Sequence, residues 1–319
     1  MKTQVFLSPS FDVYFNLALE DSLFRSLQTE EQVLFLWRND PCIVIGRYQN
    51  PWLECRTAEL EKDGVLLARR QSGGGTVYHD RGNLCFTIMG PRNSFDRRAN
   101  IRLIVAALQN LGIPAYSNDR LDILVDKQKV SGSAFREIAD RSFHHGTLLV
   151  DADLGRLTRY LASTLQVQEA KGVRSVRSPV ANLRDFLPSL PLDTLELALA
   201  KQFHPGGVEL LALDSLSKDA SLQAYRAKMA SREWRYAASP PFTLVVANAE
   251  IELQLSINAG IISGVQGSST DGKLQLSESC KSFLQGQEYG EAELALLLET
   301  ASKYESSSYM AGALKKLIV

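Results

Sequence analysis

Three consecutive glycines, Gly73–Gly75, sit inside RRQSGGGTVYHDRGN at residues 69–83 and constrain this chain more than any other feature. An ordered glycine costs about 0.5–1 kcal/mol relative to alanine, so an ordered triplet needs a compensating interaction. Two readings follow. One is a flexible surface loop. The other is a stretch of bare backbone whose N–H groups approach an anion such as phosphate. Arg69 and Arg70 favour the second, because guanidinium forks match phosphate and carboxylate oxygens. On this reading Arg69, Arg70 and Gly73–Gly75 form a local anion site, although neither GxxxxGK[ST] nor GxGxxG is present. His79 follows as an imidazole able to contact or orient a bound group, whereas Asp80 before Arg81-Gly82-Asn83 reads as turn chemistry.

The site must be local, because Lys plus Arg (35) nearly balance Asp plus Glu (36) over 319 residues. No net field directs the chain to nucleic acid or to an anionic membrane. Asp12, Asn16 and Glu20 interrupt the first apolar run before a signal-peptide core can form, and no run of about 18 apolar residues follows. Cys42, Cys55, Cys85 and Cys280 show no CxxC pair. Reduced thiols and a cytoplasmic location are the expectation.

Apolar residues at 11, 15, 19, 23 and 27 predict an amphipathic first helix. VLFLWR (33–38) and CIVIGR (42–47) flank Asn39-Asp40-Pro41 and read as a hairpin. A helix over 51–63, the strand VLLARR (65–70), NLCFTIM (83–89), a helix over 101–111, then LDILVD, KVSGSAF and FHHGTLLVD complete an α+β order rather than a regular βαβ series. Helical patterns dominate from about 153 to Trp234. Ser239-Pro240-Pro241 reads as a linker, placing a catalytic domain over 1–240 and a small α+β accessory domain over 241–319.

Two further segments carry polar chemistry. In LDILVDKQKVSGSAFR (121–136), alternation sets Asp122 apart from Ile123 and Val125, and Lys129 directly precedes the small residues Ser131–Ala134, where a ligand could approach closely. A solvated edge strand is the competing explanation. His144 and His145 are consecutive on a strand, so at most one faces a given site; a metal reading would need ligands that the cysteines do not supply, and no metal ligand is assigned. Arg174 and Arg177 in VRSVRSPVANL (173–183) are loop cations that a solvated connection also explains.

Taken together, NLALE (16–20), FLWRN (35–39), VIGRYQNPW (44–52), LARRQSGGGTVYHDRGN (67–83), KVSGSAFRE (129–137), FHHGTLL (143–149) and VRSVRSPVANL resemble the lipoate–protein ligase family in content and order. The tail resembles the accessory domain of the bacterial two-domain ligases. The resemblance implies the α+β fold shared with biotin–protein ligases, with mixed sheets and packed helices. It also implies a two-step reaction. Lipoate and ATP, as its Mg²⁺ complex, give lipoyl-AMP and pyrophosphate. The lipoyl group then passes to a lysine of apo lipoyl-domain partners, the E2 subunits of 2-oxoacid dehydrogenases and the glycine cleavage H protein.

By position, Arg70, Gly75, Thr76, Val77 and Tyr78 match the family's ATP-contacting stretch, and Lys129 matches the catalytic lysine that contacts both lipoyl carbonyl and phosphate. Ser72, Gly73, Gly74, His79, Asp122 and His145 complete the binding set. The family commonly carries Asn-Asp where this chain has Leu121-Asp122, with a separate Asn118-Asp119 three residues earlier. The biotin-ligase loop GRGRxGR is absent. The alternatives are a lipoyl or octanoyl transferase using a preformed activated donor or an acyl-cysteine, and a non-catalytic adaptor for lipoyl domains.

Overall fold

The computed structural model describes residues 2–161, 163, 165–176, 178–204, 209–210 and 218–317. The chain packs as two units: Met1–Arg47, Leu66–Arg159 and Ser175–Ala230 form the first, and Tyr48–Val65, Tyr160–Arg174 and Ser231–Val319 the second. Division by packing therefore does not follow a single cut in the chain. No helix among the described residues is long and apolar enough to cross a membrane.

The first unit is α+β. Its first strand is β1 (Lys2–Leu7), followed by helix α1 (Val13–Ser26) and strand β2 (Glu31–Trp37). Asp12 caps α1 by accepting from the Tyr14 and Phe15 N–H groups, satisfying two of the donors that a helix start leaves open. Strands β3 (Cys42–Ile45), β4 (Leu66–Arg69) and β5 (Val77–His79) make a three-stranded sheet of order β4-β3-β5.

The main sheet uses β6 (Asn83–Pro91) and, after helix α4 (Arg97–Asn110), strands β10 (Ser133–Glu137), β11 (Arg141–Leu149) and β13 (Glu209–Leu210); its order is β10-β11-β6-β2-β1-β13. β1 runs parallel to β2 and β13, while the β2–β6, β6–β11 and β11–β10 pairs are antiparallel. A third sheet is formed by β7 (Tyr116–Ser117), β8 (Ile123–Val125) and β9 (Gln128–Ser131).

One face of the main sheet is core. Leu84, Phe86 and Ile88 of β6 pack with Ile101, Ile104 and Leu108 of α4 and with Leu195 and Leu199 of the helix Leu192–Phe203. Burying each such side chain contributes about 1.5–3 kcal/mol. The other face meets α1, where Phe24 stacks edge-on against Phe143 at 4.9 Å between ring centres. Cross-strand register aligns Phe35, Thr87, His145 and Ala134 in one row across four strands. That row supports the site described below.

Two expectations change here. The segments around Asn39-Asp40-Pro41 are not a hairpin, since β2 and β3 belong to different sheets. The buried Asn39 side chain bonds Asn16 and His79, and the Asp40 N–H donates to Phe11 O. The turn is thus tied by long-range partners and carries the chain between sheets. KVSGSAF is likewise two strands, β9 and β10, broken at Gly132. A Cβ on the facing Gly146 would lie 2.6 Å from Gly132 O and from the Phe86 ring, so the break is packed too closely for a side chain there.

The second unit contains helices α2 (Pro51–Glu54) and α3 (Thr57–Lys62), where one helix was expected. Strands β12 (Val167–Ala170), β14 (Phe242–Ala247), β15 (Ile251–Asn258) and β16 (Ile261–Ser269) form an antiparallel sheet of order β12-β14-β15-β16. β12 falls in the stretch expected to be helical; its pairing with β14, distant in sequence, decides its state. Alternating burial along β14 and β15 matches the expected alternation. Three helices, Glu278–Leu284, Leu294–Ala301 and Ser308–Lys315, share their core, and Trp52 packs against Tyr236, Phe242 and Tyr289.

Candidate active site

The glycine loop leaves the end of β4 and is tied to β3 at both shoulders: Arg70 N–H donates to Ile45 O at 3.0 Å, and Arg47 N–H to Ser72 O at 2.8 Å. Gly74 has φ of +92°, which favours glycine, and its carbonyl lies 2.3 Å from where a Cβ on Gly46 would stand. Both positions therefore need glycine. The Cβ position of Gly74 is 3.3 Å from Ala134 Cβ, so the loop apex rests on the small-residue run of β10.

Arg70 organises this loop from inside. Its Nε donates to Ser72 Oγ (3.0 Å) and Gly73 O (3.2 Å), Nη2 donates to Gly73 O and Gly75 O (2.7 Å each), and Nη1 donates to Val44 O (3.1 Å). The expected open fork is thus spent mainly on carbonyls of the protein itself. Among the described residues Arg70 has no ion-pair partner. Burial lowers its pKa to about 10, with Glu20 opposing the shift, so the group stays charged at neutral pH. A buried cation whose bonds go to neutral oxygens leaves a local positive potential suited to an anion. Arg69 is buried too and lowered to about 10 by burial and by Arg47; it donates to Gly46 O and Arg47 O.

A buried polar chain supports the loop. Ser72 Oγ lies 2.7 Å from His145 Nε2, His145 Nδ1 lies 2.8 Å from Glu20 Oε1, and Thr87 Oγ1 donates to the same Glu20 oxygen at 2.6 Å. His145 thus faces the loop. His144 faces the other way, with Nε2 2.9 Å from Ser133 Oγ and its ring stacked on Phe135. Burial lowers the His144 pKa to about 3, with His145 and Arg97 adding to the shift, and keeps the ring neutral.

His79 is 3% exposed, lies 2.9 Å from Asn39 Nδ2 through Nδ1, and has a pKa lowered to about 3 by burial and then by Arg70 and His145. It is a neutral internal support. The Tyr78 side chain is buried as well. Val77 pairs with Val44, and the Thr76 N–H donates to Ser175 Oγ at 2.9 Å, so the chain's own hydroxyl holds one loop amide. Asp80 accepts from the Gly82 and Asp153 N–H groups, as turn chemistry requires.

Lys129 approaches from β9. Its N–H donates to Pro179 O, its carbonyl accepts from Ala181 N–H, and Leu124 of β8 is its cross-strand partner, so its backbone is held on both sides. Its Nζ pairs with Asp122 Oδ1 at 2.6 Å and lies 3.8 Å from the Cβ position of Gly132. Lys129 therefore lies over the run that carries the loop apex. Leu121, directly before Asp122, adopts φ of +62°. That conformation costs a leucine about 1–2 kcal/mol and suits asparagine better; packing of Leu121 against the core offsets it.

The glycine loop and KVSGSA, separated by some fifty residues, thus meet at Ala134, the end of one row of the main sheet. The lipoyl protein ligase A/B catalytic domain family matches residues 12–204, a span holding every residue of this constellation. The chain belongs to this family. Among solved structures, P. falciparum LipL1 in complex with lipoate is 28% identical, with 98% of each chain covered and a TM-score of 0.65. A putative lipoate protein ligase from T. acidophilum with bound lipoic acid is 23% identical over 74% of this chain and 99% of its own, with a TM-score of 0.60. A lipoate-protein ligase A bound with ATP is 23% identical over 74% and 98%, with a TM-score of 0.61. These two share the fold, an α+β catalytic domain of the ligase type, while this chain has an additional domain.

Sequence reasoning did not assign Glu20, Ser175, Gly46 or Asn118. Glu20 had a signal, a carboxylate amid the apolar residues of α1; the others show their role only through partners distant in sequence or through loop conformation. Arg174 bonds Leu53 O within the second unit, and Arg177 lies outside the described residues.

Proposed function

We propose that this chain is an ATP-dependent lipoate–protein ligase. The observation that carries the reading is the convergence of a glycine loop organised by a buried, positively charged Arg70 with an ammonium, Lys129, on the same small-residue run, Ser131–Ala134. The relative in complex with lipoate supports the acyl substrate, and the lipoate-protein ligase A bound with ATP shows that this fold can take the nucleotide.

In the first step a lipoate carboxylate oxygen attacks the α-phosphorus of ATP, the bond to the bridging oxygen breaks, and pyrophosphate leaves. Two anions converge as negative charge grows on the phosphoryl oxygens. The fixed Arg70 charge and the Lys129 ammonium stabilise that charge. Ser72 through Tyr78, with Asp122, His145 and His79 behind them, shape the cradle. Mg²⁺ enters with ATP as part of the substrate complex. Among the described residues no group of three or more His, Cys, Asp or Glu side chains could hold a metal ion.

In the second step the amine of an acceptor lysine attacks the acyl carbon. AMP leaves, an amide forms, and the amine loses a proton. Lys129 polarises the acyl carbonyl. The acceptor belongs to a lipoyl-domain protein such as an E2 subunit or H protein; a likeness to a T. acidophilum structure of a bipartite ligase with its E2 lipoyl domain is in keeping with that partner. The cytoplasmic location and the accessory role of residues 241–319 are part of the same proposal.

The acyl-cysteine transferase gains little support. Cys85 is 1% exposed, and burial pushes its thiol well above the ordinary range. Mass spectrometry of an apo lipoyl domain incubated with the protein, Mg-ATP and lipoate tests the proposal. A lipoyl mass increment that vanishes when any component is omitted is expected. Modification without ATP would transfer the case to a transferase, and no modification with binding to an adaptor.

A further inference from the structure

The asparagine that precedes the Lys129 hairpin occupies a position of control that its sequence context does not announce. Asn118 makes five bonds in a five-residue loop. Its N–H donates to Asp122 O (3.1 Å), and its carbonyl accepts from Leu121 N–H (3.0 Å). Its side-chain Oδ1 accepts from both Arg120 N–H and Asp122 N–H (3.0 Å each), and its Nδ2 donates to Asp122 Oδ2 at 3.4 Å. The other Asp122 oxygen takes Lys129 Nζ at 2.6 Å. Arg120 stands 4.0 Å from Oδ2 and is mostly exposed. One carboxamide therefore grips the backbone and the carboxylate of the residue that holds Lys129.

We propose that Asn118 is a positioning residue for Lys129, acting through Asp122. The role of Lys129 as the reacting ammonium rests on the function proposed above; the mechanical link from Asn118 to Asp122 to Lys129 does not. The chemistry requires a carboxamide. Its oxygen accepts two backbone N–H groups and closes the loop, while its nitrogen donates to the carboxylate and fixes which oxygen is left for the ammonium. An aspartate performs the first task and not the second, because it has no N–H and repels Asp122. Ser133 Oγ donates to Leu121 O at 3.4 Å, holding the loop from the β10 side.

Asn118→Asp separates turn formation from positioning. It keeps an acceptor for both backbone N–H groups, so the loop still closes, and its melting temperature falls by no more than the repulsion between the two carboxylates. Lipoate-dependent pyrophosphate release falls roughly 10-fold or more in kcat, the order expected for one charge-assisted bond, with KM for ATP nearly unchanged. Asn118→Ser keeps a short acceptor that does not span to Asp122, and loses kcat in the same way even if the aspartate variant folds poorly.

A second readout is independent of ligase activity. Lys129 acetylation by acetic anhydride, followed by mass spectrometry, is faster in Asp122→Asn, where the ion pair is removed, and Asn118→Ser, which releases Asp122 without adding a charge, shifts the rate in the same direction. Acetylation of Asn118→Ser at the wild-type rate, with Asp122→Asn faster, overturns the proposal. Wild-type protein that releases no pyrophosphate overturns the ligase reading instead and leaves the acetylation comparison to decide this one.

Discussion

Two cations serve the site, and the protein treats them in opposite ways. Arg70 is buried and bonded to Val44, Ser72, Gly73 and Gly75 oxygens, with no ion-pair partner among the described residues. Lys129 is partly exposed, on a backbone clamped from both sides, with Asp122 as its partner. The first is fixed framework whose charge cannot leave. The second is a side chain that a ligand can draw from a carboxylate. The two-step reaction proposed above, which binds an anion and acts twice on its acyl group, would use both kinds.

Removing Arg70 should do the greatest damage. Arg70→Ala leaves the Val44, Gly73 and Gly75 carbonyls without their buried donor, at a cost to stability of roughly 3–5 kcal/mol summed over these bonds. Chemical denaturation reads this directly; an unchanged midpoint would remove Arg70 from the framework. Lys129→Ala should instead lower ligation about 10²–10³-fold while costing the fold only about 1 kcal/mol, since its pair is partly exposed. If the two variants lost stability equally, the contrast between framework and working charge would collapse.

Acid should sharpen the contrast next. His79 and His144 each have a folded-state pKa lowered from 6.5 to about 3. Between those values the unfolded chain binds more protons than the folded one, so stability is lost as pH falls from 6.5 toward 3 and is retained above 6.5. At pH 5 the loss is on the order of 2 kcal/mol for each ring. His79→Gln should flatten that slope, read by denaturant midpoints at pH 5 and 7, and a slope identical to wild type would mean that His79 is not held neutral. The smallest effect concerns the Lys129 side. Leu121→Asn relieves the left-handed backbone by about 1 kcal/mol but gives up part of the apolar packing, so a midpoint shift within about 1 kcal/mol is expected. A loss of several kcal/mol would show that packing, not backbone, rules that position.

Parts of this site are legible in sequence because they are local. Alternation buries Ile123 and Val125, and both are fully buried. The consecutive histidines point apart because a strand alternates, leaving only His145 toward Ser72. The first helix follows from its apolar spacing and its Asp12 cap. The Asn39-Asp40-Pro41 hairpin and the single KVSGSAF strand fail for one reason. Strand partners are chosen by long-range register, and both segments exchange one sheet for another.

By itself the sequence determined a glycine loop beside cations, a lysine before small residues, and an α+β order, since these follow from residue type and short-range periodicity. Only the tertiary structure decided what each group does. It spends the Arg70 fork on the loop's own carbonyls, buries His79 as a neutral support, and turns Asn118 into the grip on Asp122. Burial and hydrogen-bond partners are set by residues distant in sequence, and they determine whether a polar side chain faces a ligand or holds the scaffold that does.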